Sequence, residues 1–214
     1  MLKKFFMVNI YHAFKNKLKQ KKAISRYNRW IKKNKPAPPP SFHKQSLILR
    51  YAKKYNIKSL VETGTYRGDM LQATKRYFDI LYSIELSKKL YHNAKKRFLY
   101  DSNIKLIHGN SGEKIKEVLK VLKQPAIFWL DGHYSSGDTA LGDKITPILD
   151  ELNNIFNCNN YEHIILIDDA RLFGVEKDYP SIEQLSIFIE NNSKKYSIEI
   201  KNDCIRLIPK SLIN

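Results

Sequence analysis

Acidic residues are absent from the first 61 positions of this 214-residue chain. That stretch contains 17 Lys and Arg residues, whereas the remainder contains 21 basic and 21 acidic residues and is formally neutral. The net charge of +17 therefore belongs to the N-terminal part of the chain. A charge confined to one end indicates a basic arm for an acidic surface or partner, attached to a body with a separate task.

Cysteines are few, and long apolar runs are missing. Cys158 and Cys204 lie far apart and match no metal-binding spacing, which argues against a disulfide framework and predicts a reduced, cytoplasmic setting. No run approaches the roughly 18 apolar residues of a transmembrane helix. Asn9 and His12 interrupt the apolar start too early for a signal peptide. With 43% hydrophobic residues, the chain can build one α/β core with an appendage.

Residues 1–35 predict a basic amphipathic helical arm. Residues 3–33 contain no Gly or Pro, and apolar side chains recur every four positions at Phe6, Ile10, Phe14 and Leu18. Residues 36–40, with four prolines in five positions, predict a stiff extended connector. Residues 41–214 are left as the main domain.

Strand and helix patterns alternate through the main domain. A strand followed by a helix, repeated several times, predicts an α/β fold with a Rossmann-like, doubly wound, mostly parallel sheet. Two short β segments at the end of the chain predict an antiparallel edge. The predicted strands cover residues 59–62, 80–85, 104–108, 126–131, 163–168, 196–201 and 204–208.

Polar residues follow each predicted parallel strand. Ligands of open parallel sheets bind at the carboxyl ends of the strands, so these residues predict a binding site along one edge. Each acid taken alone is equally well explained as a solvated residue in a turn, and it is the joint pattern that favours a site. The strand-end residues are Glu62, Glu85, Asn110, Ser111, Asp131, Asp168 and Asp169.

The loop after the first strand carries two glycines, Gly64 and Gly68, behind the carboxylate of Glu62. Glycine lets the backbone approach a ligand closely. A phosphate-binding loop would present helix N-terminal amides without a nearby negative charge. The loop therefore favours a ligand with hydroxyl and amine groups over a pyrophosphate.

Taken in order, these motifs resemble the class I S-adenosylmethionine-dependent methyltransferases. Within that class the chain resembles the metal-dependent O-methyltransferases of the catechol and macrolide-sugar types, and a bacterial group with the signature ETGTYxGDM…WLDGHYS…IDDAR. The resemblance covers residues 36 to about 210. It rests on the segments VETGTYRGD, SIEL, HGNSGE, FWLDGHYS and LIDDAR.

The resemblance implies S-adenosylmethionine as the cofactor. Glu62, Gly64 and Gly68 match the loop along its methionine part, and Glu85 matches the acid that accepts hydrogen bonds from both ribose hydroxyls. Asn110 and Ser111 match the position beside the adenine, and Asp131 borders the same pocket. Lys44 and Gln45, just before the first core helix, are expected to reach the cofactor's carboxylate.

The resemblance also implies a divalent metal held by Asp131, Asp168 and Asp169. Three converging carboxylates raise one another's pKa unless a cation neutralises them, and all-oxygen ligation favours Mg²⁺, Mn²⁺ or Ca²⁺ over zinc. In the alternative, Asp168 and Asp169 only cap the following segment. Arg171 has two interpretations: it binds an acidic group of the substrate, or it pairs with these acids.

His133 lies two positions after Asp131, where the sugar O-methyltransferases often have an acid. An imidazole with a near-neutral pKa can accept the proton of an acceptor hydroxyl, which makes His133, with Asp131, the candidate catalytic pair. The rival interpretation is a loop histidine that binds Asp131 or joins the metal shell.

The sequence thus predicts an O-methyltransferase that acts on a hydroxyl of a small or glycan acceptor, with a surface-polysaccharide sugar favoured. Residues 1–35 would bind an anionic membrane at its cytoplasmic face, or a partner or second subunit, in preference to nucleic acid. An RNA methyltransferase and a non-catalytic cofactor-binding or docking protein are the alternatives.

Overall fold

The computed structural model describes residues 20–132, 146–158 and 160–213, which form a seven-stranded sheet with helices on both faces. The strand order is β3-β2-β1-β4-β5-β7-β6, in which the first five strands are parallel and β7 and β6 are antiparallel. This confirms the predicted doubly wound, mostly parallel sheet. The strands are β1 Ser59–Thr63, β2 Ile80–Glu85, β3 Ile104–His108, β4 Ala126–Leu130, β5 Ile164–Ile167, β6 Tyr196–Lys201 and β7 Cys204–Pro209.

Helices precede the first strand and follow each of the parallel strands. The first, α1, is described over residues 20–32. The others are α2 Ser41–Lys54, α3 Asp69–Thr74, α4 Lys88–Arg97, α5 Ser111–Val121, α6 Ile148–Asn157 and α7 Ile182–Asn192, with short 3₁₀ turns at Ala170–Leu172 and Lys210–Leu212. No helix of the described ranges is both long enough and apolar enough to cross a bilayer.

Each central strand contributes alternate side chains to two apolar layers. In β4, Ile127 and Trp129 pack with α2 and the helices beside it, whereas Phe128 and Leu130 pack with α5, α6 and α7. All five residues of β4 are buried. Successive side chains of a strand point to opposite faces, so a strand covered on both faces must be apolar throughout.

The strand order reverses between β1 and β4, and open α/β sheets bind ligands at such a point. The loop after β1 packs directly on the end of β4. Gly64 adopts φ +81°, and a Cβ at this position would collide with the carbonyl oxygen of Asp131. Glycine thus lets the two strand ends approach closely enough to form one site.

The described end of the basic arm is fixed to the main domain. Trp30 is buried, donates its Nε1–H to the carbonyl of Pro36 at 2.7 Å, and lies with its ring centre 4.6 Å from that of His43 on α2. Residues 1–19, which carry the regular apolar spacing of the predicted arm, lie outside the described residues. The arm thus reaches the main domain as a helix that packs on α2.

Candidate active site

Glu62, at the end of β1, is buried beneath the glycine loop. Its Oε2 accepts a hydrogen bond from Ser83 Oγ at 2.7 Å, and Ser83 Oγ is 2.6 Å from Thr65 Oγ1. Burial raises the pKa of Glu62 to about 8, although the bond from Ser83 opposes the shift. Glu62 therefore favours its protonated form more than an exposed glutamate does, and its bond to Ser83 links the ends of β1 and β2.

Glu85, at the end of β2, is held by two backbone amides. Tyr66 N donates to Oε2 and Ser87 N donates to Oε1, both at 2.8 Å. Burial raises the pKa of Glu85, and these bonds oppose the rise. Since each carboxylate oxygen accepts two hydrogen bonds, the oriented group can still accept from a pair of hydroxyls such as those of a ribose. The residue fits the cofactor that the sequence implies.

Asn110 and Ser111 lie where β3 passes into α5. Asn110 caps α5, because its Oδ1 accepts a hydrogen bond from Gly112 N at 3.0 Å, and the helix begins at Ser111. Ser111 Oγ would be 3.1 Å from a Cβ at position 132, as would Thr63 Oγ1. The ends of β1, β3 and β4 therefore converge here.

Glu151 of α6 is a buried acid that the sequence analysis missed. It is 1% exposed, and its Oε1 makes no hydrogen bond within the described residues. Burial raises its pKa to about 7, with the hydroxyls of Ser111 and Thr63 acting in the opposite direction. The signal was available, because Glu151 lies on the same helix face as Ile148, Leu152 and Ile155.

Asp131, Asp168 and Asp169 converge at the ends of β4 and β5, with one ligand oxygen from each within 4.8 Å of the others. We call these three residues the acid cluster. Asp169 has φ +55°, which an Asp tolerates, and this turn brings consecutive carboxylates together instead of to opposite sides. Burial and the repulsion of Asp131 raise the pKa of Asp168, and burial raises that of Asp131 to about 7.

Lys44 of α2 reaches into the acid cluster. Its Nζ donates to Asp168 Oδ2 and, at 3.3 Å, to Asp169 Oδ1. The expectation that Lys44 reaches the cofactor's carboxylate stays a prediction, since here its ammonium group pairs with the acids. Burial favours the neutral amine, yet the carboxylates of Asp168 and Asp131 outweigh it and raise the pKa of Lys44, which stays charged.

Arg171 pairs with the acids, which is the second of the two interpretations of this residue. Its Nη1 donates to Asp169 Oδ1 at 2.8 Å and also to Asp203 Oδ2. Asp203 lies in the turn between β6 and β7, so the pairing ties the acid cluster to the antiparallel edge. Sequence alone gave no signal for Asp203, since the contact depends on the pairing of β7 with β5.

A small cavity opens beside the acid cluster between the ends of β4 and β5 and the start of α6. Glu151, Asp131 and Asp168 line it together with Thr146, Phe173 and Tyr179. His133, the candidate base, and the glycine- and serine-containing loop that follows it lie outside the described residues. The cavity thus combines acidic and apolar walls directly beside the candidate metal ligands.

The acid cluster has the chemistry of a hard-cation site. Its donors are all carboxylate oxygens, and Asp168 Oδ1 is buried without a hydrogen-bond partner among the described residues. Mg²⁺ and Mn²⁺ prefer such oxygen ligands and keep positions open for water or substrate. The residues present therefore fit the metal that the sequence implies, although Lys44 already supplies one positive charge.

The strand order with its antiparallel β7, and a binding edge at the reversal point, define a class I methyltransferase fold of the Rossmann-like type. No protein-family model and no curated protein matches the chain. Among solved structures, an O-methyltransferase from Bacillus cereus in complex with S-adenosylhomocysteine aligns with a TM-score of 0.57 and 11% identity, over 87% of this chain and 90% of that one.

Two further solved structures share the fold. TomG from Streptomyces achromogenes, an O-methyltransferase of tomaymycin synthesis in complex with S-adenosylmethionine, aligns with a TM-score of 0.55 and 14% identity over 86% of this chain and 87% of its own. A putative rRNA methylase from Clostridium thermocellum aligns with a TM-score of 0.53 and 15% identity, over 74% of this chain and 92% of its own. At such identities the similarity establishes the fold and leaves the acceptor open.

Proposed function

We propose that this chain is an S-adenosylmethionine-dependent O-methyltransferase assisted by a divalent metal. The observation that carries the proposal is Glu85, a carboxylate held by two amides at the end of β2, inside a methyltransferase fold. A buried acid with both oxygens fixed and lone pairs free is suited to accept two neighbouring hydroxyls.

In this proposal Glu85 binds the ribose, the loop from Glu62 to Gly68 lies along the methionine part, and Asn110 and Ser111 border the adenine. Glu62 acts mainly through Ser83, whose hydroxyl donates a hydrogen bond to its Oε2. It would keep the loop in place beneath the cofactor without contacting it through a charge. S-adenosylmethionine supplies the methyl group as a cosubstrate.

Asp131, Asp168 and Asp169 would hold Mg²⁺ or Mn²⁺. The ion, when bound, would act as a Lewis acid that lowers the pKa of an acceptor hydroxyl. The chain's own part is to orient the acceptor in the cavity and to remove its proton. His133 remains the proposed base, and Asp131 lies two residues before it at the end of β4.

A hydroxylated sugar of a surface glycan is the proposed acceptor class. The structures that share the fold include two O-methyltransferases, one of them involved in tomaymycin synthesis. The acid-lined cavity suits hydroxyl groups more than phosphates, and the basic arm suits an anionic membrane surface. The same arm, and the rRNA-methylase neighbour, support an RNA methyltransferase as the second candidate.

Isothermal titration with S-adenosylmethionine tests the cofactor site. Glu85→Ala is expected to weaken binding by about tenfold or more, since two charge-assisted hydrogen bonds are lost. Glu190→Ala, which removes an exposed acid on α7, serves as the matched control with unchanged affinity. Equal affinities for the wild type and Glu85→Ala would rule out the ribose assignment. Transfer of labelled methyl groups to RNA, with none to glycan, would favour the second candidate.

A further inference from the structure

The acid cluster is too deeply buried to remain charged without a cation. The side chains of Asp168 and Asp169 are 1% and 9% exposed, and Asp131 contributes a third carboxylate within 4.8 Å. Desolvation and mutual repulsion both disfavour three negative charges at such distances. The three carboxylates can therefore be charged together only when a positive group accompanies them.

In this structure the ammonium group of Lys44 fills that role. It donates to one oxygen of Asp168 and one of Asp169, which are two of the three candidate metal ligands. An ammonium ion donates hydrogen bonds and accepts none, so it satisfies carboxylates as a compact point charge in much the way that a metal ion does. A divalent ion at the same carboxylates would lie within a few ångströms of the ammonium, and the repulsion between the two cations weakens the binding of each.

The backbone of Lys44 is fixed, whereas its side chain can leave. Leu47 and Ile48 are buried in the core on the same helix, and the neighbouring His43 packs on Trp30. The Lys44 side chain is 19% exposed and ends four rotatable bonds from the backbone. A rotation of that side chain would clear the cluster with α2 still in place.

One oxygen of the cluster has no partner while Lys44 is bound. Asp168 Oδ1 is buried and makes no hydrogen bond to any part of the chain that the structure describes. A group that leaves a buried carboxylate oxygen unsatisfied compensates the cluster only in part. This unsatisfied oxygen indicates a ligand, because it could coordinate a metal ion after Lys44 withdraws.

We propose that Lys44 is a built-in counter-ion that competes with a divalent metal for Asp168 and Asp169. The inference rests on the metal site of the proposed function. Without metal, Lys44 keeps the cluster charge-compensated and the strand ends together. With metal, the ammonium is displaced, and its displacement lowers the apparent affinity of the ion.

The test measures Mn²⁺ binding by titration calorimetry, and unfolding temperature with EDTA and with Mn²⁺. Lys44→Met, of similar length and without charge, is expected to bind Mn²⁺ about tenfold or more tightly than the wild type, since no internal cation needs displacing. In EDTA the same variant should unfold at a lower temperature than the wild type, and Mn²⁺ should restore it.

Two controls locate the effect. Lys53→Met removes an exposed lysine from the same helix and should leave both quantities unchanged, and Asp168→Asn should abolish Mn²⁺ binding in either background. Lys44→Gln, which keeps a hydrogen-bond donor, replaces Lys44→Met if the latter does not fold.

Equal Mn²⁺ affinities for the wild type and the uncharged variants would overturn the proposal that Lys44 competes with the ion. The metal site of the proposed function would still stand. Absence of Mn²⁺ binding in every variant would overturn both the competition and the metal of the proposed function. Titration of each variant with S-adenosylmethionine reports separately on the cofactor site. Loss of binding at that site would concern the methyltransferase assignment alone.

Discussion

Two groups of buried acids lie at the same edge of the sheet and are compensated in different ways. On the β1–β2 side, Glu62 and Glu85 accept hydrogen bonds from a hydroxyl and two amides, and no ion pair of the described ranges involves them. On the β4–β5 side, Lys44 and Arg171 donate to the aspartates as full cations. The first group is stabilised by neutral donors and the second by charges.

This difference indicates what each side can bind. Acids held by neutral donors suit ligand hydroxyls, because hydroxyls donate hydrogen bonds without adding a charge. Acids held by cations suit a ligand cation, because a stronger positive charge can replace the existing one. The proposed division of the edge into a cofactor half and a metal half thus agrees with how the burial of each acid is compensated.

The largest effect is expected where the two halves touch. Gly64→Ala places a Cβ against the carbonyl oxygen of Asp131 and forces an L-residue to adopt φ +81°. We expect this change to lower the free energy of unfolding by roughly 4 kcal/mol, since backbone atoms cannot yield as a side-chain end can. Denaturant unfolding followed by circular dichroism measures it.

Gly174→Ala separates the clash from the backbone strain. Gly174 has φ +75°, but the atom nearest to an added Cβ lies 3.4 Å away. Gly174→Ala therefore carries only the conformational cost of about 1 kcal/mol. If both alanine variants lost the same stability, the close approach of the β1 loop to β4 would not matter, and the two halves would be independent.

A smaller effect on stability is expected from Glu151, whose buried carboxyl group favours the neutral, protonated form. Its folded-state pKa of about 7 lies above the ordinary value of 4.5, so the folded protein binds this proton more tightly than the unfolded chain. The resulting stability is complete below pH 4.5 and is lost as the pH rises through 7, by up to about 3 kcal/mol. Glu151→Gln keeps an uncharged group in place and should lack that loss.

The measurement is the free energy of unfolding at pH 5 and pH 8 for both proteins. We expect Glu151→Gln to gain stability relative to the wild type between these two values. Glu190→Gln, at an exposed position on α7, should follow the wild type at both. A constant difference between Glu151→Gln and the wild type would mean that Glu151 is ionised or hydrated in the folded protein.

The fold and the strand-end acids could be predicted because they depend on local patterns. Apolar runs that end in Glu62, Glu85 or Asp131 identify both the strands and the edge at which they end. The small differences concern strand ends, as at β1, which was predicted over residues 59–62 and extends to Thr63.

The compensating groups could not be predicted, because their contacts join distant parts of the chain. Lys44 is more than 120 positions from Asp168, and Arg171 meets Asp203 only through the pairing of β5 with β7. The sequence singled out Lys44 for contact with a ligand, but nothing in it indicated that the partners of Lys44 would be these aspartates. Glu151 differs, since its place on an apolar helix face was a readable signal.

The smallest effect is expected from Arg171, the outer cation of the β4–β5 side. Its side chain is 36% exposed, so solvent screens its pairs, yet Asp203 is only 2% exposed and loses a partner when the guanidinium is removed. Arg171→Gln should therefore cost about 1 kcal/mol of unfolding free energy. Arg97→Gln, whose partner Asp69 is 72% exposed, is the matched control and should cost about 0.5 kcal/mol or less. The two variants together measure whether burial of the acid determines the value of its cation. A cost for Arg171→Gln no larger than that for Arg97→Gln would place Arg171 with ordinary surface pairs and leave Lys44 as the cation on which the acid cluster depends.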